Sequence, residues 1–182
     1  MNEILQISLF LILPILSFLI LIFFGKRFKS YSSTLALTLI GLMFVNAVVL
    51  FINAISHSGD GHNSWSLQNT FEWFSTGALY INLGYYVDNI TAIMLLVVAL
   101  IGLLVHLYST EYMKDDPRYS RYFAFLGIFI FSMNGIVLAD SLIMMYIFWE
   151  LVGLSSFLLI GFCNKFQKCC SREQVPYITN FQ

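Results

Sequence analysis

Five stretches of this chain are apolar for about the length a bilayer requires, and polar links separate them. They cover residues 4–24, 34–55, 89–108, 122–138 and 141–162. A helix needs about 20 mostly apolar residues to cross a hydrocarbon core about 30 Å thick. The pattern therefore predicts an all-α integral membrane bundle of about five transmembrane helices. The first stretch contains Pro14, which a spanning helix tolerates where a neighbour satisfies the freed carbonyl. No small-residue cleavage site follows it, so it reads as a retained helix and not a signal peptide. Asn46 and Asn53 in the second stretch and Asn134 in the fourth are expected to hydrogen-bond to neighbouring helices.

Residues 56–87 form the longest link. It opens with the turn-like HSGDGHNSW and then changes period. Leu79, Ile81, Leu83, Tyr85 and Val87 alternate with Tyr80, Asn82, Gly84 and Tyr86. Period two predicts a short extended, β-like cover on the bundle, and Trp65, Trp73 and the tyrosines suit a membrane interface. Asp88 follows as the N-cap of the third helix. The link STEYMKDDPRYSRY is charged and too short for a domain. The turn at Asp140 is so short that helices four and five form a hairpin. Residues 163–182, CNKFQKCCSREQVPYITNFQ, are polar and cannot span. They read as an atypical cytoplasmic tail.

Composition agrees with a membrane class. Hydrophobic residues make up 59% of the 182 and charged residues 10%, against about 25% charged in soluble domains. The net charge of −1 predicts no nucleic-acid partner. All nine Lys and Arg follow helix one (Lys26, Arg27, Lys29), helix three (Lys114, Arg118, Arg121) or helix five (Lys165, Lys168, Arg172). Five helices fit that alternation, and the positive-inside rule then puts the N-terminus and the long link outside and the tail inside. Cys163, Cys169 and Cys170 are odd in number and lack a C-x-x-C spacing, so they read as reduced thiols at the membrane surface. His57, Asp60 and His62 sit in a Gly/Ser/Asn-rich link with no orienting frame. The sequence predicts no metal site and no cofactor, and it holds no phosphate loop or nucleophile triad.

One residue breaks the apolar pattern at depth. Glu150 lies ten residues after Asp140, about 15 Å along a helix, and so near the middle of the bilayer. A carboxylate there is costly unless it is protonated, paired or wetted, and such residues commonly serve proton relays. Gly153, Ser155, Ser156 and Gly161 are small enough for close backbone approach, so the face carrying Glu150 and Gly153 is expected to pack inward. His106 lies 18 residues after Asp88, about 27 Å on and near the opposite interface. It is a candidate either for anchoring and capping or for proton access. Lys, Arg and His are otherwise missing at membrane depth, so a partner charge for Glu150 must come from elsewhere.

The Asp88 start of helix three, HLYSTEYM, DP-x-YSRYF and WELVGLSSFLLIGF together resemble the antiporter-like L chain, or chain 5, of proton-pumping NADH:quinone oxidoreductase (respiratory complex I). The resemblance is strongest over residues 85–162. It implies a subunit that moves protons as neighbouring subunits reduce quinone, with NADH, flavin, iron–sulfur clusters and quinone handled outside this chain. It makes Glu150 the family's essential helix-five glutamate, which pairs with a helix-seven lysine, and it names the other membrane subunits of the complex and the lipid bilayer as partners. Family members have about fourteen to sixteen helices, so the chain reads as an N-terminal, truncated part, not active alone. The alternatives are a cation/proton antiporter subunit, against which HLYSTEYM weighs, and a non-catalytic membrane fragment.

Overall fold

A computed structural model describes residues 3–25, 32–58, 66–76, 79–113 and 119–174. The order is α1 (Glu3–Phe24), α2 (Ser32–Ser58), β1 (Leu67–Thr76), β2 (Leu79–Val87), α3 (Asn89–Tyr112), α4 (Tyr119–Leu138) and α5 (Leu142–Gln174). All five helices carry a stretch long and apolar enough to span a membrane. The architecture is the predicted helical membrane bundle with a small extended element.

Each helix turns one stripe inward. On α2 the stripe is Ala36, Ile40, Met43, Ala47, Leu50 and Ala54, and on α3 it is Ala92, Leu95, Ala99, Gly102, His106 and Ser109. Spacings of three and four keep these residues on one face. Small residues dominate the α3 stripe, because lipid offers no hydrophobic drive for helices to associate and close packing must supply the attraction. α4 packs against α1, α3 and α5 and also meets α2. A Cβ at Gly127 would lie 3.2 Å from the Pro14 carbonyl oxygen, and one at Gly135 would run into the Phe148 ring. Glycine at these positions lets α4 sit close to both α1 and α5.

The proline in α1 is answered from α4. Pro14 has no N–H, so the Phe10 carbonyl loses its helical donor. The Asn134 amide nitrogen donates to the Phe10 oxygen at 2.9 Å, and it also lies 3.2 Å from the Met43 sulfur. From α2, Asn46 likewise donates to the Gln6 carbonyl of α1 at 2.8 Å. Asn53 departs from expectation: it is exposed on α2. Ala54, one position on, takes the inward place in the stripe.

The long link is more ordered than its composition suggests. β1 and β2 pair antiparallel from Leu67↔Val87 to Thr76↔Leu79, with a bulge between Glu72 and Phe74. The alternation in sequence announced β2 but not β1. β2 ends on buried Val87 and runs straight into α3. Asp88 caps α3 through its carboxylate, which accepts from the Thr91 N–H at 2.7 Å. That bond holds the Asp88 carboxyl below its ordinary pKa. The ends of two helices also differ from the apolar boundaries. α3 continues to Tyr112, and α5 continues past 162 to Gln174. At 33 residues α5 is about 50 Å long, more than a 30 Å core accommodates, so its polar last turns extend beyond the apolar span Leu142–Gly161.

Candidate functional site

Glu150 stands in the middle of the α5 span, eight residues after Leu142, or about 12 Å. α5 rests on α4 through one face. Phe148 meets Phe131 edge to face with centroids 5.6 Å apart and covers Gly135, and Ser155 is buried two turns further on. Glu150 follows Phe148 by two residues, about 200° around the helix, and so faces the other way. It is exposed, as are Trp149, Gly153, Leu154, Phe157 and Gly161. Apart from the helix's own backbone, no atom of the described residues would lie within 4 Å of a Cβ at Gly153 or Gly161.

The expected inward packing of Glu150 and Gly153 is therefore corrected. Their face of α5 is open among the described residues, and only 6% of the α5 span is buried, against 50% of α4. Small residues announce that a backbone can approach, but they do not say which helix does so. Tyr146, one turn before Glu150 and exposed on the same helix, is the neighbour whose hydroxyl interacts with its carboxyl. Sequence reading passed over this residue, although a spacing of four on a helix is a usable signal.

His106 is not a surface anchor. It is fully buried between α3 and α4, with its ring 5.8 Å from that of Phe123. Nδ1 donates to the Gly102 carbonyl oxygen at 2.8 Å. That bond fixes the tautomer and leaves Nε2 bare, buried and without a hydrogen-bond partner among the described residues. One turn away, the Ser109 hydroxyl and the Tyr122 hydroxyl lie 3.3 Å apart. The structure does not bring His106 and Glu150 together. His106 packs on α4 from the α3 side, and Glu150 points away from α4 on the far side of α5. Other buried polar atoms without a hydrogen-bond partner among the described residues include Gln6 Nε2, Ser17 Oγ and Asn134 Oδ1. The side chains of His57, Asp60, His62 and the three cysteines lie outside the described residues.

Taken together, fold and site define a multi-pass helical membrane protein with one carboxylate at mid-span and a buried histidine toward one end. Comparison with known proteins narrows the class. Residues 73–123 match the family described as NADH-ubiquinone oxidoreductase (complex I), chain 5 N-terminus. The chain is 41% identical over 120 residues to NAD(P)H-quinone oxidoreductase chain 5 of Synechocystis sp., covering 66% of this chain and 17% of that protein. It is 39% identical over 170 residues to the chloroplastic subunit 5 of Anthoceros angustus, covering 93% of this chain and 23% of that one. A match of that extent necessarily runs through Glu150. These matches place the chain in the complex I chain 5 family, corresponding to its N-terminal part. It spans about a fifth of the length of the curated relatives it matches. The fold is shared with a chain of the membrane-bound sulfane sulfur reductase, an archaeal respiratory membrane complex. The TM-score is 0.66 at 16% identity, covering 84% of this chain and 29% of that one.

Proposed function

We propose that the chain forms the N-terminal helices of a proton-translocating membrane subunit of an NAD(P)H-quinone oxidoreductase, and that Glu150 is a proton-relay group in it. The observation that carries this reading is the placement of Glu150. A carboxylate at mid-span is expensive in lipid, yet here it stands exposed on the least buried of the five described spans. Gly153 and Gly161, further along α5, leave room for a further helix. A cationic side chain delivered against that face would stabilise the carboxylate, and its withdrawal would favour protonation. Alternation between those two environments loads and releases a proton. Tyr146 offers a hydroxyl beside the carboxyl, one helical turn away.

His106 is the second residue of the reading. Its bare Nε2 can accept a proton from the basic end of the bundle, where Ser109 and Tyr122 supply hydroxyls. The orientation follows the basic residues, with the N-terminus and the β-hairpin outside and the end of α5 inside. Other membrane subunits of the oxidoreductase are the partners, and the redox cofactors are carried outside this chain. Among the described residues no Lys, Arg or His side chain faces Glu150, so we read the chain as acting within the larger subunit.

The test is Glu150→Gln in the full-length subunit, assembled and reconstituted in proteoliposomes, with NADH-driven proton uptake as the readout. The expected result is an initial pumping rate lower by about tenfold or more, in the range that loss of a proton-transfer group produces. Native pumping by an assembled Glu150→Gln enzyme would remove Glu150 from the path.

A further inference from the structure

The short turn between α4 and α5 is tied to the β-hairpin by a backbone bridge, of which the Asp140–Gly84 bond is part, and by one side-chain bond. Ala139 pairs with Tyr85 in an isolated antiparallel bridge. The Asp140 N–H donates to the Gly84 carbonyl oxygen at 3.3 Å. The Gln68 amide nitrogen donates to Asp140 Oδ2 at 3.2 Å. Gly84 makes this approach sterically feasible. A Cβ there would lie 2.7 Å from the Asn69 carbonyl oxygen, 2.9 Å from Thr70 Cγ2 and 3.1 Å from Asp140 Oδ2. The alternation of β2 puts residue 84 on the outer side with exposed Tyr86, yet Gly84 is buried, because the Asp140 turn covers it.

The same turn starts α5. Ser141 Oγ accepts from the Met144 N–H at 3.3 Å, and its carbonyl accepts from the Met145 N–H at 2.9 Å. The hairpin contact and the first turn of α5 are thus consecutive in the chain. Beyond it, α5 is held by the Phe148 contact on α4 and by buried Ser155, while most of its span is exposed. A helix held along one narrow seam is free to tilt or slide unless an end is fixed. Here the fixed end is the one at Asp140.

We propose that Gln68, Gly84 and Asp140 form a latch that sets the height of α5 along α4, and with it the depth of Glu150. These three are positioning residues and touch no reacting group. The importance of that depth rests on the relay reading of Glu150, but the latch is a statement about helix position and is measured separately. The hairpin acts as the reference surface against which the carboxylate helix is aligned.

The experiment uses the full 182-residue chain in lipid nanodiscs, with Cys163, Cys169 and Cys170 replaced by Ser. Spin labels go on Val45→Cys of α2 and Phe157→Cys of α5, both lipid-facing at 58% and 70% exposure. Distances are compared for the native latch, Gln68→Ala, Asp140→Ala, Asp140→Asn and Gly84→Ala. Gln68→Ala and Asp140→Ala should shift or broaden the distance by about 1.5 Å or more, one residue's rise along a helix. Asp140→Asn keeps a carbonyl oxygen for the Gln68 amide and should restore the native distribution. Gly84→Ala should give the largest shift. If that variant does not fold, Gln68→Ala, a change at an exposed side chain, still decides the matter. Unchanged distances in both Gln68→Ala and Asp140→Ala would overturn the latch and leave the relay reading intact. Native pumping by Glu150→Gln would do the reverse.

Discussion

α4 and α5 form one hairpin, yet they stand in opposite relations to the bundle. α4 is half buried along its span and, beyond the exposed Arg121 of its first turn, turns Ser120, Ser132 and Asn134 inward. Asn134 satisfies the carbonyl that Pro14 frees, and Ser120 donates to the Gly25 carbonyl at 2.9 Å. α5 buries only Ser155 along its span, is half-buried where it meets α4, and carries its one mid-span charge outward. The two helices are similarly apolar along their spans, so composition does not separate them. What separates them is whether polar groups find partners within these residues. In α4 they close local accounts of hydrogen bonding, and removing one should cost stability. In α5 the Glu150 side chain has no partner from another helix among the described residues, and removing its charge should leave the fold intact.

The largest stability effect is expected at Asn134. Asn134→Leu leaves the Phe10 carbonyl without a donor inside the bundle, where no bulk water substitutes. The expected loss is about 1–3 kcal/mol, read as thermal or denaturant unfolding in detergent. The cause is checked by a second change. In a Pro14→Ala background the N–H of residue 14 serves Phe10, so the penalty of Asn134→Leu should shrink by more than half. Equal penalties in both backgrounds would mean that Asn134 acts through packing alone.

A single substitution made on both helices sharpens the contrast. Gly135→Ala drives a methyl into the Phe148 ring and should destabilise by about 1–3 kcal/mol, the usual cost of overpacking. Gly153→Ala meets open space and should stabilise the chain by up to about 1 kcal/mol through helix propensity. In the full-length subunit, the same Gly153→Ala should weaken packing of a further helix against the Glu150 face. Two changes of the same sign in the 182-residue chain would erase the distinction between the two faces.

The smallest effect concerns the start of α3, which uses a side-chain carboxylate where α5 uses Ser141. Asp88→Ala should cost about 0.5–1 kcal/mol, as lost caps do. The folded Asp88 carboxyl titrates below its ordinary value, chiefly because the Thr91 N–H bonds to its charged form. Its contribution is therefore complete above the unfolded pKa, about 3.9, and is lost as pH falls through the lower folded value. Asp88→Asn keeps the cap but should flatten that acid limb. Unfolding midpoints measured between pH 2 and 6 (an interval chosen to bracket about 3.9) compare the two variants.

Much of this protein follows from period and length alone. The five spans, the Asp88 cap and the strand at 79–87 are local properties. A run of apolar residues, a capping carboxylate and a period of two act within a few residues of themselves, so sequence displays them directly. Helix α5 beyond 162 was less visible, because the apolar run ends there while helical hydrogen bonding continues through polar residues. β1 was hidden because its residues do not alternate. Its pairing depends on β2 supplying the other half of the ladder.

The candidate residues divide the same way. Sequence by itself placed Glu150 at mid-membrane and Pro14 in a helix that needed help, because depth and the missing N–H are properties of the chain. It did not determine that Asn134 supplies that help, that His106 is buried with one nitrogen bare, or that Glu150 faces away from α4. Gly and Ser beside a carboxylate permit close approach on that face, but the approach itself requires a second surface. Where a helix turns its charged side depends on which neighbours occupy the other side, and only the tertiary structure decides that.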